Sequence, residues 1–568
     1  MRIFLLALAA PAVLLSACAD GAGLRPSLDI GPSAESGSSY GLFLSAQKAL
    51  NEGDGETAAD LYKRAQAQGL SPEFAQEREF TAALLGGDIP RAAKLAPAGE
   101  TASPAMERMG LLTRAVEDMA SGRGKSAYAI LSGPGVGFPH GAARSLLLPW
   151  AAAQAGETEA SLARPQAEND KLVEAFGLLA QAHLFERARR YDEAETDFKT
   201  LPKGEGLTAF QLAYGEFLER RGRRDEAITV YDAALQSAPG YPELVAARAR
   251  AEAKRPAPPA PDIRTGAAQG LLAASAAMMQ MRQPQLAQAY LHLVLRLQPE
   301  RDEAWLMLGE VLAQNGDEAA AREAYAKLKP SDPDYISARS KLAWSHQKAG
   351  DKDRAIAIAR EAHQLAPERG GGVVLAELLR ANGQLDESLA LMTTALQRQP
   401  QSWRIRFARA TVLEQMGRWP EAEADLKAAL LQAPEEPELL NYLGYSWIDR
   451  GVHLDEAIVM VERAVSAEPD SAAMIDSVGW GYYRKGDLKK AQAHLEKAVE
   501  MMPGNPEIND HLGDLYWRMG RQLEAEFQWR RVLTLEPDEK IKARAELKIK
   551  NGLGKDGLPG QAPLLAGP

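Results

Sequence analysis

The sequence predicts an all-α chain, a superhelical solenoid of stacked helix–turn–helix units. Three observations carry the prediction. Pro469, Pro503 and Pro537 stand 34 residues apart. Each closes a copy of one pattern: Gly479, Ala491, Ala498, Pro503 and then Gly513, Ala525, Val532, Pro537, with offsets of 12, 7 and 5 in both. Turn phrases recur between such copies, at Gly53-Asp54, Arg223-Arg224-Asp225-Glu226-Ala227, Gly316-Asp317-Glu318-Ala319, Gly350-Asp351 and Gly383-Gln384-Leu385-Asp386-Glu387. A fixed period of this length marks a repeat array. Such arrays present surfaces to other proteins.

Within a unit, the glycine marks a close crossing of two helices, where a side chain would push the backbones apart. Ala491 and Ala498 lie seven apart and share a face of the second helix. The proline follows that helix, where its missing N–H costs nothing. Gly486, in Arg484-Lys485-Gly486-Asp487, is the expected stop between the helices. The pattern runs backwards through Gly444, Ala457, Ala464 and Pro469, with one extra residue near Gly451-Val452-His453. Earlier copies are Ala410, Ala422, Ala429, Pro434; Ala343, Ala355, Ala362, Pro367; and Gly215, Ala227, Ala234, Pro239.

From the N-terminus the elements are expected in this order. Arg2 and the apolar run Ile3 to Leu15 make residues 1–17 a signal peptide, because the run is too short to span a bilayer. Residues 18–39, rich in Gly, Ser, Ala and Pro, form a flexible tether. Residues 40–254 form a degenerate helical array, with loops at Gly86-Gly87-Asp88 and at 133–141, and with 105–170 fitting the repeat worst. Residues 255–262, containing Arg255-Pro256-Ala257-Pro258-Pro259-Ala260-Pro261, admit no helix. They are either a polyproline spacer between two arrays or a long loop inside one superhelix. Residues 263–537 form the regular array. Residues 538–551 suit a polar capping helix, with Ile541, Ala545 and Leu547-Lys548-Ile549 as its apolar side. The tail 552–568 is Gly/Pro-rich and expected to be disordered.

The net charge of −11 is spread without long blocks of one sign, so no basic stripe exists to neutralise nucleic-acid phosphates. The eight histidines form no His-Glu-x-x-His, and His494 and His511 are expected as polar surface or groove residues. Gly133-Pro134-Gly135-Val136-Gly137 and Gly552-Leu553-Gly554-Lys555-Asp556-Gly557 lack the strand, spacing and Lys-Ser/Thr of a phosphate loop. A single cysteine, Cys18, excludes intrachain disulfides and thiolate metal clusters. No catalytic set, cofactor or metal is therefore expected, and the chain reads as a non-enzyme.

The repeated residues resemble the tetratricopeptide repeat (TPR) family, with the best copies over 402–537. Its tryptophan-leucine-glycine-tyrosine phrase is matched by Tyr442-Leu443-Gly444 with Trp447, and by Val478-Gly479 with Tyr482. In that family the first helix of each unit lines a concave wall. The resemblance implies inward positions at Asn441, Tyr445, Ile448 and Asp449, at Asp476, Trp480, Tyr483 and Arg484, and at Asp510, Asp514, Trp517 and Arg518. Aromatic and polar groups on one wall suit peptide capture. Some TPR domains clamp a terminal carboxylate with Lys and Asn at such positions. Asn441 fits that pattern, but Asp476 and Asp510 do not, so a neutral or basic segment is the expected ligand.

Leu15-Ser16-Ala17-Cys18 resembles a bacterial lipobox, which implies cleavage before Cys18 and its acylation. Ala19 follows the cysteine and Asp20 comes one place later, which by that resemblance implies the outer membrane, facing the periplasm. With Tyr442-Leu443-Gly444-Tyr445-Ser446-Trp447 and Asp476-Ser477-Val478-Gly479-Trp480, the chain is similar to the large TPR lipoproteins of proteobacterial outer membranes. One of that group is an adaptor that binds a periplasmic carboxyl-terminal-processing protease and delivers peptidoglycan hydrolases to it. The implied function is a scaffold or adaptor of this kind, with other proteins as partners. The alternatives are an assembly factor for outer-membrane proteins, secretion or pili, a component of an envelope polysaccharide machine, or an enzyme using 105–170.

Overall fold

The computed structural model describes residues 38–51, 54–70, 72–99, 102–164, 170–202, 207–238, 241–367 and 371–554. The expected signal peptide, Cys18, nearly all of the tether, Gly53, Pro239 and the tail from 555 lie outside the described residues. Among the described residues the chain is a succession of α-helices with no strand. They divide into two compact units between Ala366 and Pro367.

In the first unit the helices are α1 Ser39–Asn51, α2 Gly55–Ala67, α3 Pro72–Leu85, α4 Ile89–Leu95, α5 Pro104–Ala120, α6 Gly124–Ser132, α7 Gly141–Ala155, α8 Thr158–Leu162, α9 Lys171–Arg187 and α10 Tyr191–Thr200. There follow α11 Thr208–Arg220, α12 Arg224–Ser237, α13 Pro242–Glu252, α14 Ile263–Gln280, α15 Pro284–Leu297, α16 Asp302–Gln314, α17 Glu318–Ala326, α18 Tyr335–Lys348 and α19 Lys352–Leu365. The second unit holds α20 Gly371–Ala381, α21 Leu385–Arg398, α22 Trp403–Gln415, α23 Trp419–Gln432, α24 Pro437–Arg450, α25 Leu454–Ala467, α26 Ala472–Lys485, α27 Leu488–Met501, α28 Pro506–Arg518, α29 Gln522–Val532 and α30 Glu539–Asn551.

The turn chemistry follows the sequence directly. Gly486 closes α26 in the left-handed region at φ 90°, and the next residue, Asp487, caps α27 by accepting from the Lys490 N–H at 3.2 Å. Asp317 and Asp351 cap α17 and α19 in the same way. At the other end of the unit, the residue before each proline is forced out of the helical region. Ala433, Glu468 and Met502 sit at φ −135°, −127° and −134°, and each still donates its N–H to the carbonyl four residues back.

The crossing glycines stand where two helices of one unit touch. A Cβ on Gly479 would lie 2.7 Å from Leu495 Cγ, and one on Gly513 would lie 2.5 Å from Trp529 Nε1. A continuous apolar core runs through the second unit from Phe407 by way of Leu443, Trp447, Val478 and Leu495 to Trp529.

The proline-rich segment 255–262 is helix-free, but the compact-unit boundary does not fall there. Helices α14 and α15, which follow it, pack on α7, α9, α5 and α3 of the preceding array. Gly270 lies against Leu146, Gln288 donates to the Leu85 carbonyl at 2.9 Å, and Arg296 pairs with Glu117 at 2.7 Å. Arg187 and Arg220 donate to the Pro261 and Pro258 carbonyls and hold the segment down. Residues 263–297 thus pack on helices of the array that precedes the proline-rich segment. Residues 105–170, the worst match to the repeat, still fold largely as helix pairs, α5 with α6 and α7 with α8.

Candidate protein-interaction surface

The inward positions of α24, α26 and α28 lie in the second unit beside the terminal helix α30. On α24, Asn441 and Tyr445 are half-buried and Asp449 is exposed. The Tyr445 hydroxyl donates to Glu507 on α28 at 2.9 Å, so this contact passes over α26. Arg484 donates to the Asp449 carbonyl at 2.8 Å.

The residues of α26 are not open to a groove. Trp480 is 8% exposed and Tyr483 2%. Their rings stack at 4.6 Å, and Trp480 also stacks on His511 at 4.1 Å. Asp476 is buried with its carboxylate 2.9 Å from His511 Nδ1. The expected surface or groove histidine at 511 is therefore a core residue. Burial alone would lower its pKa, but the facing charge of Asp476 holds it above the ordinary value. His494 does sit at the surface side, with Nδ1 2.9 Å from the Lys490 carbonyl.

On α28 the wall is filled by the chain itself. Asp510 and Asp514 are buried, and Lys548 of α30 donates to each at 2.8 Å. Arg544 lies 2.8 Å from Asp510, and Trp529 donates to Asp514 at 3.0 Å. Burial raises the Asp514 pKa, and Asp510 adds to it, against the pull of Lys548. Trp517 packs beside Trp529 and donates to the Leu553 carbonyl at 3.3 Å, while a Cβ on Gly552 would overlap its ring. Arg518 is exposed and lies over the Tyr483 ring.

Four polar atoms of buried residues on this wall have no partner among the described residues: Asp476 Oδ1, Trp480 Nε1, the Tyr483 hydroxyl and Asp510 Oδ1. Buried groups of this kind are normally satisfied, so the wall holds unused donors and acceptors behind its surface. Sequence reasoning singled out the residues of α24, α26 and α28 but missed Glu507, Arg544 and Lys548. A signal was present: Asp510 and Asp514 are four apart, and so are Arg544 and Lys548, which on two facing helices brings paired charges together. The capping helix also differs in detail, since Leu547 is 49% exposed and Lys548 only 2%.

Comparison with known proteins finds the repeat in this chain. Tetratricopeptide-repeat family models match residues 208–251, 271–336, 337–368 and 379–443. The chain therefore carries tetratricopeptide repeats in a TPR solenoid. A TPR repeat-containing protein of Pseudomonas aeruginosa is 29% identical over 196 residues, which cover 34% of this chain. The chain spans about a third of that relative's length, 33%. Among solved structures, a chain of the APC/C hetero-tetramer Cut9–Hcn1 is 14% identical over 91% of this chain and 97% of its own, with a TM-score of 0.40. A TPR protein of Parabacteroides merdae is 16% identical over 43% of this chain and 96% of its own, with a TM-score of 0.36. Tetratricopeptide repeats in general bind other proteins, so their presence implies a protein-interaction scaffold.

Proposed function

We propose that the chain is a lipid-anchored scaffold facing the periplasm, recruiting a carboxyl-terminal-processing protease and its cell-wall hydrolase substrates. The observation that carries the anchoring is the single cysteine of the chain, Cys18, placed behind an apolar run and Leu15-Ser16-Ala17. Support for the recruiting role comes from the TPR solenoid together with the likeness of residues 438–537 to adaptor lipoproteins. A bacterial TPR relative is in keeping with this reading.

Crosslinking in intact bacterial cells followed by capture of the chain tests it. The expected result is co-purification of a periplasmic protease, and faster hydrolase degradation when the purified chain is added. Capture of no protease, with hydrolase levels unchanged on deletion, overturns the adaptor reading. Altered outer-membrane protein levels would point to an assembly factor instead. Cys18→Ser should release the protein from membranes or leave it unprocessed, and flotation of that variant with salt-washed membranes would remove the anchor.

A further inference from the structure

The end of the second unit contains an occupied binding surface. Helix α30 fully buries only Ala545 and Lys548 among its own residues, and Ile549 packs partly buried against the core of the unit. So small an apolar contact holds the helix only modestly. What fixes it is charge: Lys548 between Asp510 and Asp514, and Arg544 against Asp510. Glu507 and Asp476 lie in the same wall, where His511 faces Asp476 and Arg544 also feels the charge of Glu507. A buried ion pair roughly breaks even against its desolvation. Asp510 accepts from Lys548 and ion-pairs with Arg544 through the same Oδ2, and its Oδ1 has no partner among the described residues. The wall is acidic and pre-shaped, and α30 meets it with a matched pair of charges four residues apart.

We propose that this wall is a docking site for a basic amphipathic helix, with α30 as its resident occupant. A partner helix carrying an Arg and a Lys four residues apart displaces α30 and takes Asp510 and Asp514. This rests on the interaction-scaffold reading and not on the anchor or the protease. Being tethered, α30 acts at an effective concentration on the order of millimolar, which sets what a partner must exceed. Displacement would also free Trp517 from the Leu553 carbonyl and expose aromatic area for the incoming helix.

The test uses the full chain and a fluorescent peptide of residues 538–551 as the probe. Arg544→Ala with Lys548→Ala in the chain should tighten probe binding by about tenfold or more relative to the unmodified chain, because the tethered competitor is lost. Asp510→Asn with Asp514→Asn should abolish binding, as should placing the two alanines in the peptide. Equal binding by the first variant and the unmodified chain overturns the proposal, and so does binding indifferent to the aspartates. Hydrogen exchange on the unmodified chain decides independently of how the variants fold. Amides of α30 should exchange at least about tenfold faster than those of α28, through local opening. Exchange of α30 only together with α28 makes it a fixed cap and overturns the proposal.

Discussion

Glu377 on α20 shows how one buried group sets a pH dependence. Burial raises its carboxyl to about 7, with Arg380 opposing. Its folded pKa lies above the ordinary value of 4.5, so its contribution is fully present below that value and is lost as pH rises through about 7. Glu377→Gln should therefore stabilise the second unit at pH 8, by up to about 3 kcal/mol for a shift of this size and read as a higher urea midpoint, and leave it nearly unchanged at about pH 4.5. An equal gain at both pH values would show that charge is not the cause. The sequence marks Glu377 as an ordinary glutamate in a helix, because desolvation comes from neighbours that composition does not list. The same holds for Asp476, Asp510 and Asp514. Their inward direction was implied by the resemblance to the TPR family, but their burial depended on His511 and Lys548 arriving from other helices.

Each pair of helices was largely legible, because its determinants are local. The Gly-Asp turn stops one helix and caps the next, and the proline ends the second by removing the αR option from its predecessor. The crossing is set by one missing side chain. Gly479→Val should cost roughly 1–3 kcal/mol by overpacking against Leu495. Gly504→Ala, at a glycine with open space around it, should change stability by less than about 0.5 kcal/mol. Urea unfolding followed by circular dichroism separates the two, and equal effects would mean that the crossing is not tight. Helix α30 was legible as an element and in most of its facing, since Ala545 and Lys548 are buried and Ile549 packs on the core, while Leu547 is exposed. A hydropathy pattern puts Leu547 inward, yet the acidic wall selects Lys548 instead, because two buried carboxylates cost more unpaired than one leucine gains by burial.

For the whole molecule, the two compact units predict unfolding that is not two-state. A solenoid is stabilised unit by unit and by nearest neighbours, so cooperativity need not extend over the full length. Calorimetry should resolve at least two transitions, and Gly479→Val should lower only the one that belongs to residues 367–551. A single transition moved as a whole by that variant would contradict the division. The sequence by itself determined the helix–turn–helix repeat with its turns and caps, since these follow from backbone preferences within 34 residues. Only the tertiary structure decided that the first unit folds across the proline-rich segment, and that α30 fills the acidic wall. Both depend on contacts between residues far apart in the chain, such as Gln288 with Leu85 and Lys548 with Asp510, and no local pattern encodes which distant surface a helix will cover.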